Sequence, residues 1–313
     1  MCKISRPMFA SDREYHANLG NVDYWSSWVA EALRRHDLDN CHAAMVAGFN
    51  ATYPTFLCDD VVVKFFGFLH SAAQSHANER AAHMALAAVP EVSAPALLGD
   101  GRLFEDPDEP WPYLITSRVA GSASCDVELT LRERRAIAMR LGEQVRCLHR
   151  LSPQGVAVHD DWLPIDMTSA LQASSLPHHL VQQADDFIAR LAPFDRTFVH
   201  GDLCANHVFI DDGRVAGIID WGDALVTDRH YELIQLYRDM FDCDKALFRV
   251  FLDASDWPVT PHFPHQTLGL ALYRQAIGLA QHRTMDVFEP IAARYPFRDI
   301  ATLDELALAL FRV

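Results

Sequence analysis

Residues Phe198–Ala224, FVHGDLCANHVFIDDGRVAGIIDWGDA, restrict the fold of this chain more than any other stretch. Asp212-Gly213 lies between two apolar runs, the strongest short-range signal for a β-hairpin closed by a type I′ turn. With those residues at the turn, Ile210 is expected to face Val215, Val208 to face Gly217 and His207 to face Ile218. Asp220 then lies two residues beyond Ile218, on the same face as His207 and diagonal to it. Diagonal neighbours across a strand pair are about 7–8 Å apart. His207 and Asp220 are therefore placed to share one metal ion, or the phosphate oxygens around it. Asp202 precedes the hairpin by one short loop and comes close to both. Asp211 and Asp212 read as turn residues with solvated carboxylates. Asp202 and Asp220 do not, because each follows apolar residues where a strand is expected to be buried.

One ligand from each strand beside a further carboxylate suits phosphoryl transfer. That chemistry needs Mg²⁺ among oxygen-rich ligands, a carboxylate that orients the acceptor hydroxyl, and a cation on the phosphates. The competing reading of the same residues is an ordinary hairpin with charges at its mouth.

The rest of the chain divides by pattern. Tyr24–His36 is an amphipathic helix with Trp25, Trp28, Val29 and Leu33 on one face. Ala47–Pro54 reads as a turn, Thr55–Cys58 and Val61–Phe66 as a hairpin, Ser75–Ala88 as a helix and Pro112–Val119 as a strand. Beyond Gly121 long helices dominate, at Leu129–Leu151, Leu180–Leu191, Arg229–Asp242, Lys245–Leu252 and Leu268–His282. The expected architecture is a small mixed α/β-sheet lobe, residues 1–117, followed by a larger, mainly helical lobe, residues 118–313.

The formal charge is −15, which disfavours nucleic acid and anionic membranes as partners and suits a cationic ligand. No apolar run is long enough to span a bilayer, and the N-terminus lacks the pattern of a signal peptide. The seven cysteines are widely spaced without a C-x-x-C, as in free thiols of a cytoplasmic protein. The chain contains only three lysines, Lys3, Lys64 and Lys245, so one inside a strand-like run attracts notice. A bare ammonium among apolar residues is costly unless paired.

His200-Gly201-Asp202-Leu203 followed by Gly217-Ile218-Ile219-Asp220 resembles the catalytic and metal loops of the aminoglycoside phosphotransferases, relatives of the protein kinases. The resemblance implies a protein-kinase-like two-lobed α+β fold. It also implies transfer of the γ-phosphate of ATP or GTP, with Mg²⁺, to a hydroxyl of a cationic antibiotic. By position Asp202 matches the catalytic aspartate and Asp220 the metal aspartate. The metal-binding asparagine expected five residues after Asp202 is His207 here, with Asn206 one residue early. Macrolide kinases of the same superfamily resemble this chain in having His there, so His207 is assigned to the metal. Lys64, in Val61–Gly67 (VVVKFFG), matches the phosphate lysine, and Glu79 its partner. The turn carrying Gly48, Asn50 and Thr52 matches the phosphate-covering loop. Ser117 and Val119 fall in the hinge that faces the base.

The blocks Tyr24-Trp25, VVVKFFG, WPYLITSRVAG, CLHRL, FVHGDL and the run Arg229–Trp257 are similar to hygromycin B phosphotransferases. That run carries Asp239, Asp242 and Asp244, which with Asp223 and Asp202 form an expected surface for an amino-sugar cation. Asp228 reads as a helix cap. The alternatives are a macrolide or other small-alcohol kinase, and a relative that binds nucleotide or drug without turnover. Monomer and dimer are both compatible with the sequence.

Overall fold

The computed structural model describes residues 4–38, 45–48, 52–162, 166–280 and 286–313. Its elements in order are α1 (Asp12–Asn18), α2 (Val22–Arg34), β1 (Val46–Ala47), β2 (Thr55–Cys58), β3 (Val61–Phe65), α3 (Ala72–Leu86), β4 (Leu97–Arg102), β5 (Pro112–Ser117) and β6 (Ser122–Ala123). They continue with α4 (Leu131–Leu148), β7 (Ala157–Val158), α5 (Met167–Leu171), α6 (His178–Val181), α7 (Ala184–Ile188), β8 (Thr197–Val199), β9 (Val208–Asp211), β10 (Arg214–Ile218) and β11 (Leu225–Thr227). The last helices are α8 (Leu233–Gln235), α9 (Lys245–Ala254), α10 (Phe263–Ala280), α11 (Glu289–Ala292) and α12 (Leu303–Phe311).

The N-terminal lobe is a five-stranded sheet of order β1-β2-β3-β5-β4, and every neighbouring pair is antiparallel. Helix α2 starts where the Asn21 side chain accepts the Tyr24 N–H, and it buries Trp25, Trp28, Val29 and Leu33. Trp25 stacks on Phe65 of β3 with ring centroids 5.4 Å apart. One face of the sheet is thereby closed by aromatic packing. The alternation in β3 buries Val61, Val63 and Phe65 and turns Val62 and Lys64 to the other face.

In the C-terminal lobe, α4 begins with a capping box between Thr130 and Glu133 and buries Ile137, Leu141, Val145 and Leu148. Gly142 lets α9 approach closely, since a Cβ there would lie 2.6 Å from the Phe251 carbonyl oxygen. Helix α10 packs against α5, α8 and α12 and is buried almost all round, its polar Gln266, Thr267, Arg274 and Gln275 included. Two small sheets, β10-β9-β6 and β7-β11-β8, form the rim on which the loops of the candidate site stand.

The hairpin forms as expected at its turn, with Asp212 and Gly213 both at positive φ and Val215 facing Ile210. Beyond that the register shifts by one residue. A bulge between Val215 and Gly217 sets Gly217 opposite Phe209 and Ile218 opposite Val208. His207 consequently meets Ile219 rather than Ile218, through an Ile219 N–H bond to the His207 carbonyl of 2.9 Å.

Two expected helices are also interrupted. Leu180–Leu191 splits into α6 and α7 at Gln183, whose amide bonds the Leu303 N–H and the Ala301 carbonyl at the start of α12. Arg229–Asp242 becomes a 3₁₀ turn, the short α8 and a π turn at Leu236–Met240. Among the described residues no helix is long and apolar enough to cross a membrane.

Candidate active site

Lys64 leaves β3 toward the junction of the lobes. Its Nζ lies 2.7 Å from Glu79 Oε2 on α3 and 2.7 Å from Asp220 Oδ1 beyond β10. The rings of Phe66 and Tyr53 have their centroids 5.3 and 5.8 Å from the ammonium. Burial alone would lower the lysine pKa, but the two carboxylates outweigh it and hold Lys64 protonated. Asn78, one position before Glu79 and 5% exposed, accepts the Ala157 N–H at 2.9 Å and donates to the Gly222 carbonyl at 3.3 Å. Helix α3 is thus tied to the loop that carries Asp220.

The loop after β8 is held by buried polar groups. His200 is fully buried; its Nε2–H donates to the Ile219 carbonyl at 2.9 Å, and its Nδ1 accepts the Asp202 N–H at 3.2 Å. Burial pushes the His200 pKa down to about 4, which keeps the ring neutral and in that tautomer. Glu232, also fully buried, accepts the His200 N–H. Gly201 takes φ +83°, and a Cβ there would stand 2.0 Å from the Asp223 carbonyl oxygen, so this position requires glycine.

Asp202 follows with its two oxygens used differently. Oδ1 accepts Arg274 Nη2 at 3.0 Å and the Gln235 side-chain amide, while Oδ2 lies 3.5 Å from His207 Nδ1. Arg274 also donates to the Gly201 carbonyl at 2.5 Å, and its guanidinium lies 4.7 Å from the Tyr231 ring centroid. Burial would raise the Asp202 pKa; Arg274 and then His207 outweigh it and keep the carboxylate ionised.

His207 stands between two aspartates. Its Nδ1–H donates to the Asp202 carbonyl at 2.8 Å, and its Nε2 faces Asp220 Oδ2 at 3.5 Å. Asp220 itself adopts the left-handed conformation, φ 62° and ψ 68°, which aims the carboxylate back across the hairpin mouth. Burial opposes charge on the ring, but the Cys204 thiol, Asp220 and Asp202 together push its pKa up to about 10. Asp220 is in turn held below the ordinary aspartate range by Lys64 and His207 against the effect of burial.

These donors fit a divalent cation. The bond from Nδ1–H to a backbone carbonyl is the arrangement that presents Nε2 as a metal ligand. Asn206 instead accepts from the Cys125 thiol, with Sγ to Oδ1 at 2.9 Å.

The structure brings Lys64, Glu79, Asp202, His207 and Asp220 into one connected cluster. Asp223 ends the 3₁₀ turn that begins one residue after Asp220. Asp228 is buried and caps the turn at His230, as expected. Asp239, Asp242 and Asp244 differ from the expected open acidic helix end. Asp239 is paired with Arg238 at 2.6 Å, Asp242 with Arg294, and Asp244 accepts the Ala246 and Leu247 N–H groups as the cap of α9. Asp239 lies within the π turn Leu236–Met240, and Asp244 stands at the start of the next helix.

Gly48 bonds the Thr55 carbonyl at 2.7 Å beside β1 and β2, and Tyr15 donates its hydroxyl to the Thr52 carbonyl. Asn50 lies outside the described residues. Ser117 ends β5 and exchanges bonds with Ala96, and the Val119 side chain packs against Gly217. Arg274, Gln235 and Glu232 escape a reading by motif. A signal for Arg274 exists nonetheless: it is the one charged residue in the apolar helix Phe263–Ala280, and such a residue needs a partner.

The model of the phosphotransferase enzyme family matches residues 51–261. The chain belongs to this family. An aminoglycoside 3'-phosphotransferase of Streptomyces fradiae is 32% identical over an alignment of 151 residues that covers 42% of this chain and 55% of that relative. A hygromycin-B 4-O-kinase of Escherichia coli is 27% identical over 114 residues, 32% of this chain and 33% of that one. The chain thus matches little more than half the length of these curated relatives, or less.

Its fold is also that of a GDP and kanamycin complex of an APH(2")-III enzyme, with a TM-score of 0.64 at 17% identity over 89% of this chain and 99% of that one. A macrolide 2'-phosphotransferase from Brachybacterium faecium gives 0.59 at 17% identity over 92% and 99%. At such identities the likeness is one of fold. The two-lobed kinase-like architecture of the chain is therefore shared with enzymes named for two antibiotic classes.

Proposed function

We propose that this phosphotransferase moves the γ-phosphate of ATP or GTP to a hydroxyl of an aminoglycoside antibiotic, with hygromycin B the first candidate. The observation that carries this reading is the unbroken chain of contacts Glu79–Lys64–Asp220–His207–Asp202. Those contacts set an ammonium, a histidine–carboxylate pair and a further carboxylate side by side, which supports this reading.

Residues 1–117 form the nucleotide lobe in this reading and residues 118–313 the catalytic and substrate lobe. Lys64, steadied by Glu79, exchanges part of its contact with Asp220 for phosphate oxygens. His207 Nε2 and Asp220 hold Mg²⁺, which when bound screens the charge on the phosphates. Asp202, fixed through Oδ1 by Arg274 and Gln235, offers Oδ2 to the acceptor hydroxyl. There it orients the nucleophile and takes its proton late in the transfer. Gly48, Asn50 and Thr52 cover the phosphates and Ser117 and Val119 border the base. Asp223 receives an amino group of the substrate; Asp239, Asp242 and Asp244 contribute only by releasing their present partners.

A macrolide acceptor is the second reading, favoured by the fold shared with the macrolide enzyme and by His207 in the metal position. Nucleoside diphosphate release is to be followed with Mg²⁺, ATP or GTP, and a panel of aminoglycosides and macrolides. Turnover of aminoglycosides with hygromycin B among them is expected. Turnover confined to macrolides selects the second reading, and nucleotide binding without turnover refutes both.

A further inference from the structure

Cys204 has no role in the transfer proposed above, yet its thiol lies inside the catalytic loop and is only 6% exposed. Asp202, Cys204 and His207 each present a donor atom, and these atoms lie within 4.8 Å of one another. Local backbone holds the spacing, because the His207 N–H donates to the Cys204 carbonyl at 3.1 Å. His207 Nδ1 is 3.6 Å from Cys204 Sγ and 3.5 Å from Asp202 Oδ2. Tetrahedral zinc, with Zn–N and Zn–O near 2.1 Å and Zn–S near 2.3 Å, requires edges of about 3.6 Å for N···S and about 3.4 Å for N···O. Two edges of that tetrahedron already exist in the protein.

We infer that this loop carries a second metal site, for a thiophilic divalent cation such as Zn²⁺, formed by Cys204 Sγ, His207 Nδ1 and Asp202 Oδ2. Water completes the fourth position; the His207 and Asp202 side chains keep 16% and 22% of their surface open to it. Binding sends the thiol proton and the Nδ1 proton to solvent. The ring keeps a proton on Nε2, where Asp220 Oδ2 accepts it, a carboxylate–histidine–zinc arrangement. Mg²⁺ prefers oxygen donors and does not compete for the thiolate.

The two nitrogens of one ring therefore serve two mutually exclusive states. With Nδ1–H on the Asp202 carbonyl, Nε2 is offered to the nucleotide-side metal. With Nδ1 on zinc, that ligand is withdrawn and the Asp202 carboxylate is captured as well. Zn²⁺ at this site is an inhibitor. The coordination stands on geometry alone; the inhibition rests on the proposed roles of Asp202 and His207.

The full-length protein without nucleotide is titrated with Co²⁺, followed by displacement with Zn²⁺. One equivalent is expected to produce a near-ultraviolet thiolate-to-cobalt charge-transfer band. Cys204→Ala and Cys204→Ser, checked for folding by circular dichroism and thermal melting, should lose the band. Their Zn²⁺ affinity should fall by more than about tenfold, the smaller loss typical of removing even a group behind a ligand. Cys125→Ser, whose thiol reaches Asn206 instead, should keep it. No band in the wild type, a band that survives in folded Cys204 variants, or one lost in Cys125→Ser overturns the site. Inhibition by Zn²⁺ is then measured against each variant's own uninhibited rate. Cys204-dependent binding without inhibition leaves the site standing and refutes the roles given to Asp202 and His207.

Discussion

Lys64 and Asp202 are both charges withdrawn from water, and they are held in opposite ways. Lys64 sits at the seam between the lobes. Its partners Glu79 and Asp220 come from α3 and from the far end of the hairpin, so its environment depends on how the lobes meet. Asp202 is fixed wholly within the C-terminal lobe, by Arg274, Gln235 and the His200–Glu232 scaffold behind it. The contrast implies a division of labour. On the proposed function the lysine end exchanges a carboxylate for phosphate, whereas the aspartate end is preset before any nucleotide arrives.

Four perturbations break or sharpen that contrast. The largest effect is expected from Asp202→Asn, which removes the acceptor carboxylate. Its kcat should drop by roughly 10²- to 10⁴-fold with nucleotide KM unchanged; steady-state kinetics check this, and a retained kcat overturns the assignment. Lys64→Met should lower kcat/KM for the nucleotide by roughly 10²- to 10³-fold and leave acceptor KM alone. An equal loss on both substrates would mean that the seam and the preset end are not separate.

Arg274→Ala comes next. It removes a charge-assisted bond to Asp202 that contributes about 1.5–3 kcal/mol, so kcat should fall by roughly 10- to 100-fold. Nucleotide KM should stay constant, and a rise in it would show that the Asp202 end communicates with the nucleotide lobe after all.

The smallest effect is on stability against pH. Burial pushes His83, in α3, down to about 4 and His149, behind α4, down to about 3. Their folded pKa values lie below the unfolded value near 6.5, so the unfolded chain binds more protons as pH falls through that range. Stability is complete above pH 6.5. It declines below it by up to about 1.4 kcal/mol per pH unit for each histidine, until the folded pKa is reached. Among the described residues the His149 Nε2 is buried without a hydrogen-bond partner, so His149→Phe should flatten the acid limb of Tm against pH. An unchanged limb would exclude His149 as a source.

Legibility in the sequence followed locality. The Asp212-Gly213 turn, the apolar face of α4, the alternation around Lys64 and the capping Asp228 all depend on residues within a few positions, and each appears where the pattern placed it. The register slip did not. A bulge between Val215 and Gly217 leaves the apolar pattern intact while moving His207 opposite Ile219. The partner of Asp242 in the acidic cluster was hidden for a related reason, because helical periodicity does not reveal its pairing with Arg294, 52 residues away. That Arg274 and Gln235 meet Asp202 was out of reach, since those contacts span 72 and 33 residues.

The amino-acid sequence by itself determined which chemical groups gather in the candidate site, because motif spacing and alternation act over a few residues. Only the tertiary structure decided what each charge meets. Pairing energies depend on distance and burial, and α10, packed through the centre of its lobe, delivers the guanidinium that orders the Asp202 carboxylate.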